Sequence, residues 1–597
     1  MSQSAYRSRK HRPWYRKITR AHFGWAFAGL LTAVLILFGW QAARASSALR
    51  LAANQAQVLQ NQIIAGDDVA AKTTMAALAD SADRAKSSTD GVLWRLGAKV
   101  PFFGKNVSAV QDVSVAIDTI AREALPPVVD LSSKINLNTY SPHDGKVDIN
   151  AIEEIGPSVS DASDAIAKAN KQIRDINAGS LLVPLRGPVS SIQAKVGEAR
   201  NASKSATLAA RLLPSMLGKD ETRRYLLLIQ SNAEIRATGG IAGSYAILTA
   251  KQGKLSMGFQ GAIQDLLPFE EPVVPMTEDE KDVFSSALVT DLRNANLTPD
   301  FPRTAQITRA MVKKGLNKNV DGVISVDPVA MSFILAGTGP VKLKNGAALT
   351  PENAVEVLLN AIYRFYPDST RQNDTFEYAA RKVFNVVKSG RGESRLVISG
   401  MVKGASENRI MVWSSHKDEQ RLIAPSDLSG AFLGDDGKTP RVGLYFSDAA
   451  ATKMEYYLNY STRVTATKCL EDNIQELTST TQVTSNAPSD AKDLPESVTG
   501  NGSATPKGTM SLNLRFYSPF GGGFTEVRVN NKKQTVYGDT FKGRNVTRVT
   551  LQVKPGETIS VTTAMISGPN QPGDVIFSTT PGIVSARNDV VTPSACK

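Results

Sequence analysis

Between Arg20 and Arg44 stand 23 residues without a Lys, Arg, Asp or Glu: AHFGWAFAGLLTAVLILFGWQAA. As one helix such a run reaches roughly 34 Å, enough for the ~30 Å hydrocarbon core of a bilayer. Trp25 and Trp40 fall near its two ends, where indole rings favour the headgroup region. Residues 1–20 hold seven basic residues and no acidic one. The positive-inside rule keeps that tail cytoplasmic and places the chain from Ser46 onward outside. Ala43-Arg44-Ala45 has the form of a signal-peptidase site, so a cleaved signal is the alternative. The length of the apolar run favours a retained, single-pass anchor.

Charge and rare residues limit the function classes. The net charge is +13, but only +6 once the tail is set aside, too thin a field for nucleic-acid binding. Two Cys and four His in 597 residues leave no room for a Cys/His zinc site or an iron–sulfur cluster. Outside the membrane the pair Cys469 and Cys596 is expected to form a disulfide.

Hydrophobic spacing divides the rest into three parts. From Ala45 to Leu217 the sequence is Ala-rich, with apolar residues alternately three and four apart, as in Val107, Val110, Ser114, Ile117, Ala121 and in Ile152, Ile155, Val159, Ala162, Ile166. That is a coiled-coil seam of closely approaching helices. Breaks at 99–104, 140–145 and 179–187 predict antiparallel segments, and Pro157 predicts a helix start or kink. From Lys219 the pattern alternates: RYLLLIQ as a buried strand, a hairpin around Gln252-Gly253, a helix over 302–316, DGVISV as a strand, and helices over 328–336, 350–366 and 370–388. This predicts an α/β sandwich of one sheet and covering helices. From Arg441 onward strand alternation dominates (RVGLYFSD, YYLNYSTRVTATKC, MSLNLRFYSP, FTEVRVNN, VTRVTLQVKP, TISVTTAMIS), predicting a β-sandwich. The fold class is therefore multidomain α+β. A tail (1–20), membrane helix (21–44), helical stalk (45–217), α/β core (219–437) and β-sandwich (438–597) follow in order, with a mobile loop over 479–507.

Standard catalytic motifs are missing: there is no HExxH, GxSxG, Walker loop or CxxC. His416, beside Ser414 and Ser415, is the one external histidine placed to act as a general base, and a surface histidine at a turn is the plainer reading. Two clusters suggest anion binding. Arg236, Thr238, Gly239 and Gly240 follow the first core strand, where glycines allow close backbone approach. Arg364, Arg371 and Gln372 bracket a junction of two helices, and an arginine fork suits phosphate or carboxylate. In α/β folds ligands bind beyond strand ends, so the three arginines are expected to converge there. Asp265 either neutralises them or holds a magnesium ion.

The runs YLLLIQSNAEIRATGGIAGSYA, TPDFPRTAQ, DGVISVDPVAMSFILAGTGPV, LTPENAVEVLL, WSSHKDEQ and KMEYYLNY together resemble the bacterial family called domain of unknown function 4012. A more distant likeness is to the LytR-CpsA-Psr phosphotransferases, which move glycopolymers from polyprenyl pyrophosphate carriers onto the cell wall. It rests on Tyr225–Gln230, Arg236-Ala-Thr238, Gln264-Asp265, Ser325–Val341, Arg364 and Arg371-Gln372. The acid of that family's Arg-x-Asp-Thr segment is absent here, and Gln264 replaces the arginine of its Arg-Asp pair. The resemblance implies an envelope protein that binds a lipid-linked or wall-attached anionic glycan without turning it over. The alternative it implies is a phosphotransferase acting on polyprenyl-pyrophosphate-linked glycans. A stalked sensor or scaffold, meeting other envelope proteins through its helices, is the third reading.

Overall fold

The computed structural model describes residues 20–65, 67–134, 145–266, 268–366, 368–536, 538–584 and 590–596. Its contacts divide the chain into two compact units, one of residues 1–136 and 154–207, the other of residues 137–153 and 208–597.

The first unit is helical. It contains α1 (Arg20–Ala65), α2 (Asp68–Thr89), α3 (Gly104–Thr119), α4 (Leu125–Lys134) and most of α5 (Ile149–Ile173) and α6 (Val183–Met216). Asp67 starts α2 by accepting from the Ala70 N–H at 3.1 Å. α2 then runs back along α1, so that Trp94 beyond its end donates to Gln41 Oε1 at 3.1 Å. The seam residues Val107, Ala121, Ala162, Ala169, Val189 and Val196 are buried, and alanines there let the helices approach closely. Asp118 is buried in this unit and takes Lys86 at 2.6 Å and Arg122 at 2.8 Å. Pro157 does not start a helix: it lies inside α5, which starts eight residues earlier at Ile149; one lost N–H does not end a helix held by a packed face. A further interruption falls at Ile120–Ala124, a π-helical turn just before Pro126-Pro127. Among the described residues no helix is long and apolar enough to cross a membrane. The side chains of α1 before Gly29 and that of Leu31, among them nine of the 24 residues of the expected anchor, lie outside them.

The second unit holds the core sheet, β1 (Arg223–Arg236), β2 (Gly239–Lys251), β3 (Lys254–Ala262), β4 (Gly322–Val326) and β5 (Ile410–Ser414). Their order is β3-β2-β1-β4-β5, and only β1 and β4 are parallel. Leu226 and Leu228 pack with α7 (Phe301–Leu316), while Ile229 and Ile235 pack with α8 (Pro328–Thr338) and α9 (Ser369–Lys388). Cover on both faces is why RYLLLIQ reads as continuous rather than alternating. The hairpin predicted at Gln252-Gly253 forms, with both residues at positive φ (48° and 81°). Between α9 and β5 lies α10 (Ser394–Ser406), which has no counterpart in the sequence reading.

The sandwich contains β6 (Arg441–Asp448), β7 (Leu458–Cys469), β8 (Gln475–Ser485), β9 (Met510–Tyr517), β10 (Gly523–Val529), β11 (Arg544–Val553), β12 (Thr558–Ile566) and β13 (Val575–Thr579). One sheet runs β10-β12-β8-β7 and the other β11-β9-β6-β13, with short edge strands at Lys532–Lys533, Asp539–Phe541 and Val590–Thr592. The mobile loop expected over 479–507 is overturned. Its first part is the interior strand β8, paired to both β7 and β12, and beyond it Ala491 and Val498 are buried. Burial alternates along β8 as a strand should, yet of its inward residues Gln475, Leu477, Ser479, Thr481, Val483 and Ser485 only two are apolar. A single hydrophobic cluster runs from Ile229 and Leu335 to Leu444, Phe446 and Phe516, so residues 219–437 and 438–597 share one core. The disulfide Cys469–Cys596 forms, with Cα atoms 4.9 Å apart, and ties the C-terminal tail to the end of β7.

Candidate functional site

The segment SNAEIRATGG is buried from Ser231 through Thr238, which is unusual for so polar a string. Its backbone explains this. Ser231 pairs with Ile241 and Ile235 with Gly240, so Asn232, Ala233 and Glu234 bulge out of the β1–β2 ladder. The bulge sends two polar side chains into the interior. Asn232 Nδ2 donates to Asp327 Oδ2 at 3.0 Å and to the Pro581 carbonyl at 3.2 Å. Asp327 caps α8 through the Ala330 N–H at 2.7 Å and pairs with buried Arg409 at 3.0 Å. Glu234 Oε1 accepts from Arg236 Nη2 at 2.8 Å, and its Oε2 from Lys453 Nζ.

Around this pair sit Asp448, 3.9 Å from Arg236 Nη1, and Glu455, whose two carboxyl oxygens are buried without a hydrogen-bond partner. Burial is the largest influence on Glu234, Asp448, Lys453 and Glu455. It pushes the Glu455 carboxyl well above its ordinary value, reinforced by Asp448 and Glu234. It raises Asp448 likewise. Burial also acts upward on Glu234, but Lys453 and Arg236 outweigh it and hold that carboxyl below the usual range. Burial works to lower Lys453, but Glu234 overcomes it and pushes the ammonium up to about 12. The ammonium also lies 5.5 Å above the ring of Tyr363, whose hydroxyl meets Ser231 Oγ at 3.0 Å.

The three arginines expected to converge stand in unlike surroundings. Arg236 is buried and its charge is met by Glu234 and Asp448. Arg364 is exposed, and Arg371 is 74% exposed beside Asp368 at 3.6 Å. Gln372 is buried and donates to the Tyr366 carbonyl at 2.6 Å, tying a helix to its preceding turn. Gly239 (φ 130°) and Gly240 close the β1–β2 hairpin; a Cβ on Gly240 would stand 2.1 Å from the Ser231 carbonyl oxygen. Asp265 accepts from the Ala262 N–H at 3.3 Å, and among the described residues no group of three His, Cys, Asp or Glu is placed to hold a metal ion. His416 Nε2 lies 2.7 Å from Arg223 Nη1, which can only donate to it. Ser414 Oγ donates to Glu419 at 2.5 Å, not to the imidazole.

One predicted residue does line a cavity. Thr238, at the exit of β1, borders a space of about 340 Å³ together with Asn408, Ser426, Ser429, Arg441 and Tyr445. β5 runs antiparallel to β4, pairing Ile410 with Val326, so the cavity lies at the C-terminal ends of β1 and β4. That is where α/β sheets gather ligands, and the volume falls at the lower end of the usual 300–1,000 Å³ or so. Arg441 is its cation. It is 3.8 Å from Asp436, and its Nε is buried without a hydrogen-bond partner. Arg544 holds the wall by donating to the carbonyls of Gly434 at 2.9 Å and Arg441 at 2.8 Å. Arg441 was invisible as a site residue because it reads only as the first residue of a strand; nothing local sets it apart.

No curated protein matches the chain. Among solved structures it is similar to the transcriptional regulator yvhJ from Bacillus subtilis, at 10% identity over 34% of this chain and 76% of that one, with a TM-score of 0.20. A likeness that slight carries no argument about fold or activity. Residues 220–363, from the approach to β1 through Tyr363, match the family model described as a protein of unknown function, DUF4012. The matched residues, which include the bulged strand β1, are thus similar to the DUF4012 domain.

Proposed function

We propose that the protein is a single-pass, membrane-anchored extracytoplasmic protein of the bacterial cell envelope that holds an anionic saccharide, lipid-linked or wall-attached, in the cavity at the ends of β1 and β4. The observation that carries this is the lining of that cavity. Arg441 is the guanidinium of that lining, and it shares the cavity wall with the hydroxyls of Thr238, Ser426 and Ser429 and the carboxyl of Asp427. A guanidinium meets carboxylate or phosphate through paired donors, and hydroxyls match a polyol. The uncharged run 21–43 behind a basic tail supports the anchor, and the Cys469–Cys596 bond agrees with an oxidising compartment. The reading is binding rather than turnover: Asp427 is the one carboxyl in the cavity lining, while Asp327 is paired with Arg409 and Glu234 with Arg236 and Lys453.

Mass spectrometry of material retained by the detergent-purified chain tests it. An anionic glycan or glycolipid should accompany the native protein and be depleted in Arg441→Ala and in the cavity-filling Ser429→Trp. A protein that carries no glycan, or one retained equally by both variants, would remove the proposal.

A further inference from the structure

The turn between the short helix Val92–Gly97 and α3 exposes an apolar surface that nothing in its own unit covers. Phe102 is wholly exposed, at 101%, and Phe103, Val100, Leu96 and Val92 are exposed beside it. Phe102 also has φ 63°, a left-handed backbone that a bulky residue adopts only under constraint. The constraint is visible: Gly104 lies so close to the Ala98 carbonyl oxygen that a Cβ there would stand 2.2 Å from it. The chain thus holds a strained turn that displays two phenyl rings to solvent.

The surface is continuous with the apolar run of α1. The Phe38 ring lies 4.8 Å from Trp94 and 6.3 Å from Phe103, and Trp94 donates to Gln41. Trp40, 56% exposed, stands on the same stretch with the Arg44 guanidinium 5.4 Å from its ring. Arg95, Lys99 and Lys105 flank the turn in sequence. Exposed aromatic and aliphatic side chains among cations, level with the outer end of a membrane segment, match the chemistry of the lipid–water interface.

We infer that residues 92–103 form an interfacial wedge whose Phe102 and Phe103 enter the outer leaflet of the bilayer beside the anchor. This rests on the anchored reading above. The wedge gives the helical unit a second hold on the membrane next to the α1 helix, which restricts tilting and rotation that a single span leaves free. A second copy of the chain is the competing occupant of such a surface.

The test uses the full chain reconstituted into vesicles containing anionic lipid. Both native cysteines are bonded, so Phe102→Cys introduces a single thiol for an environment-sensitive fluorophore. Val100→Cys serves if the first variant does not fold. Val69→Cys, 80% exposed at the far end of α2, is the control, roughly 33 Å along that helix at 1.5 Å per residue. The label at 102 should shift to the blue and lose most of its emission to lipids brominated near the headgroup end of the acyl chain, while the label at 69 does neither. An unquenched label on protein that resists alkaline extraction would overturn the wedge and leave the anchor standing. Release of the protein by alkaline extraction would overturn the anchor and the wedge with it. A blue shift that appears without vesicles and grows with protein concentration would assign the surface to self-association.

Discussion

Glu234 Oε2 accepts a hydrogen bond from Lys453 Nζ across 219 residues of sequence, joining the bulge of the core sheet to the turn that follows β6. Both groups are largely out of water, so the pair matters through what its loss leaves behind. Lys453→Met leaves Glu234 buried with Arg236 as its remaining cation and should destabilise the fold by about 3–5 kcal/mol. Glu234→Gln/Lys453→Met should recover part of that loss, since no buried carboxylate is then left short of its ammonium and Arg236 keeps Asp448. Urea unfolding of the two variants and the native chain decides; equal stability of the single and double variants would show that the pair is not coupled.

Glu455 makes stability depend on pH. Its folded-state carboxyl titrates well above the unfolded value of 4.5. The contribution is therefore fully present below 4.5 and is withdrawn as the pH rises through the folded value. Glu234 is held low and works the other way, contributing above 4.5 and failing as the pH falls. Glu455→Gln keeps the neutral shape without the titration, so its melting temperature should gain on the native chain steadily as the pH is raised from 4.5. Parallel curves for the two proteins would mean that folding does not raise the Glu455 carboxyl above its unfolded value.

Gly240→Ala should cost about 3 kcal/mol or more, because its Cβ would lie 2.1 Å from the Ser231 carbonyl oxygen and must push the two strands apart. Gly243→Ala, three residues along β2 with open space at the Cβ position, is the matched control and should change the melting temperature little. A tolerated Gly240→Ala would contradict the tight hairpin.

Opening the Cys469–Cys596 bond releases a loop of 127 residues, worth up to about 5 kcal/mol in the chain-entropy account. Cys596→Ser should lower the melting temperature and expose the C-terminal tail to carboxypeptidase.

The layout of the chain was legible in local pattern. Three-four spacing marks the helices, the run Leu226–Ile229 marks a strand covered on both faces, and the two cysteines of the chain mark a bond. β8 was not legible, because four of its six inward residues are polar and are kept inside by the strands on either side. The site was less legible still. Arg236 looks like an anion binder in sequence because its neutralising partners Asp448 and Lys453-bound Glu234 are set by a bulge and by a strand over 200 residues away. Arg441 looks like nothing in sequence and becomes the cation of a cavity only where the two sheets meet. Periodicity is a property of neighbours along the chain, so the sequence alone determined the helices, strands and apolar run whose inward residues are apolar, and not β8, whose inward residues are mostly polar. Whether a buried charge is satisfied or left to meet a ligand depends on what packs against it, and that the tertiary structure alone decided.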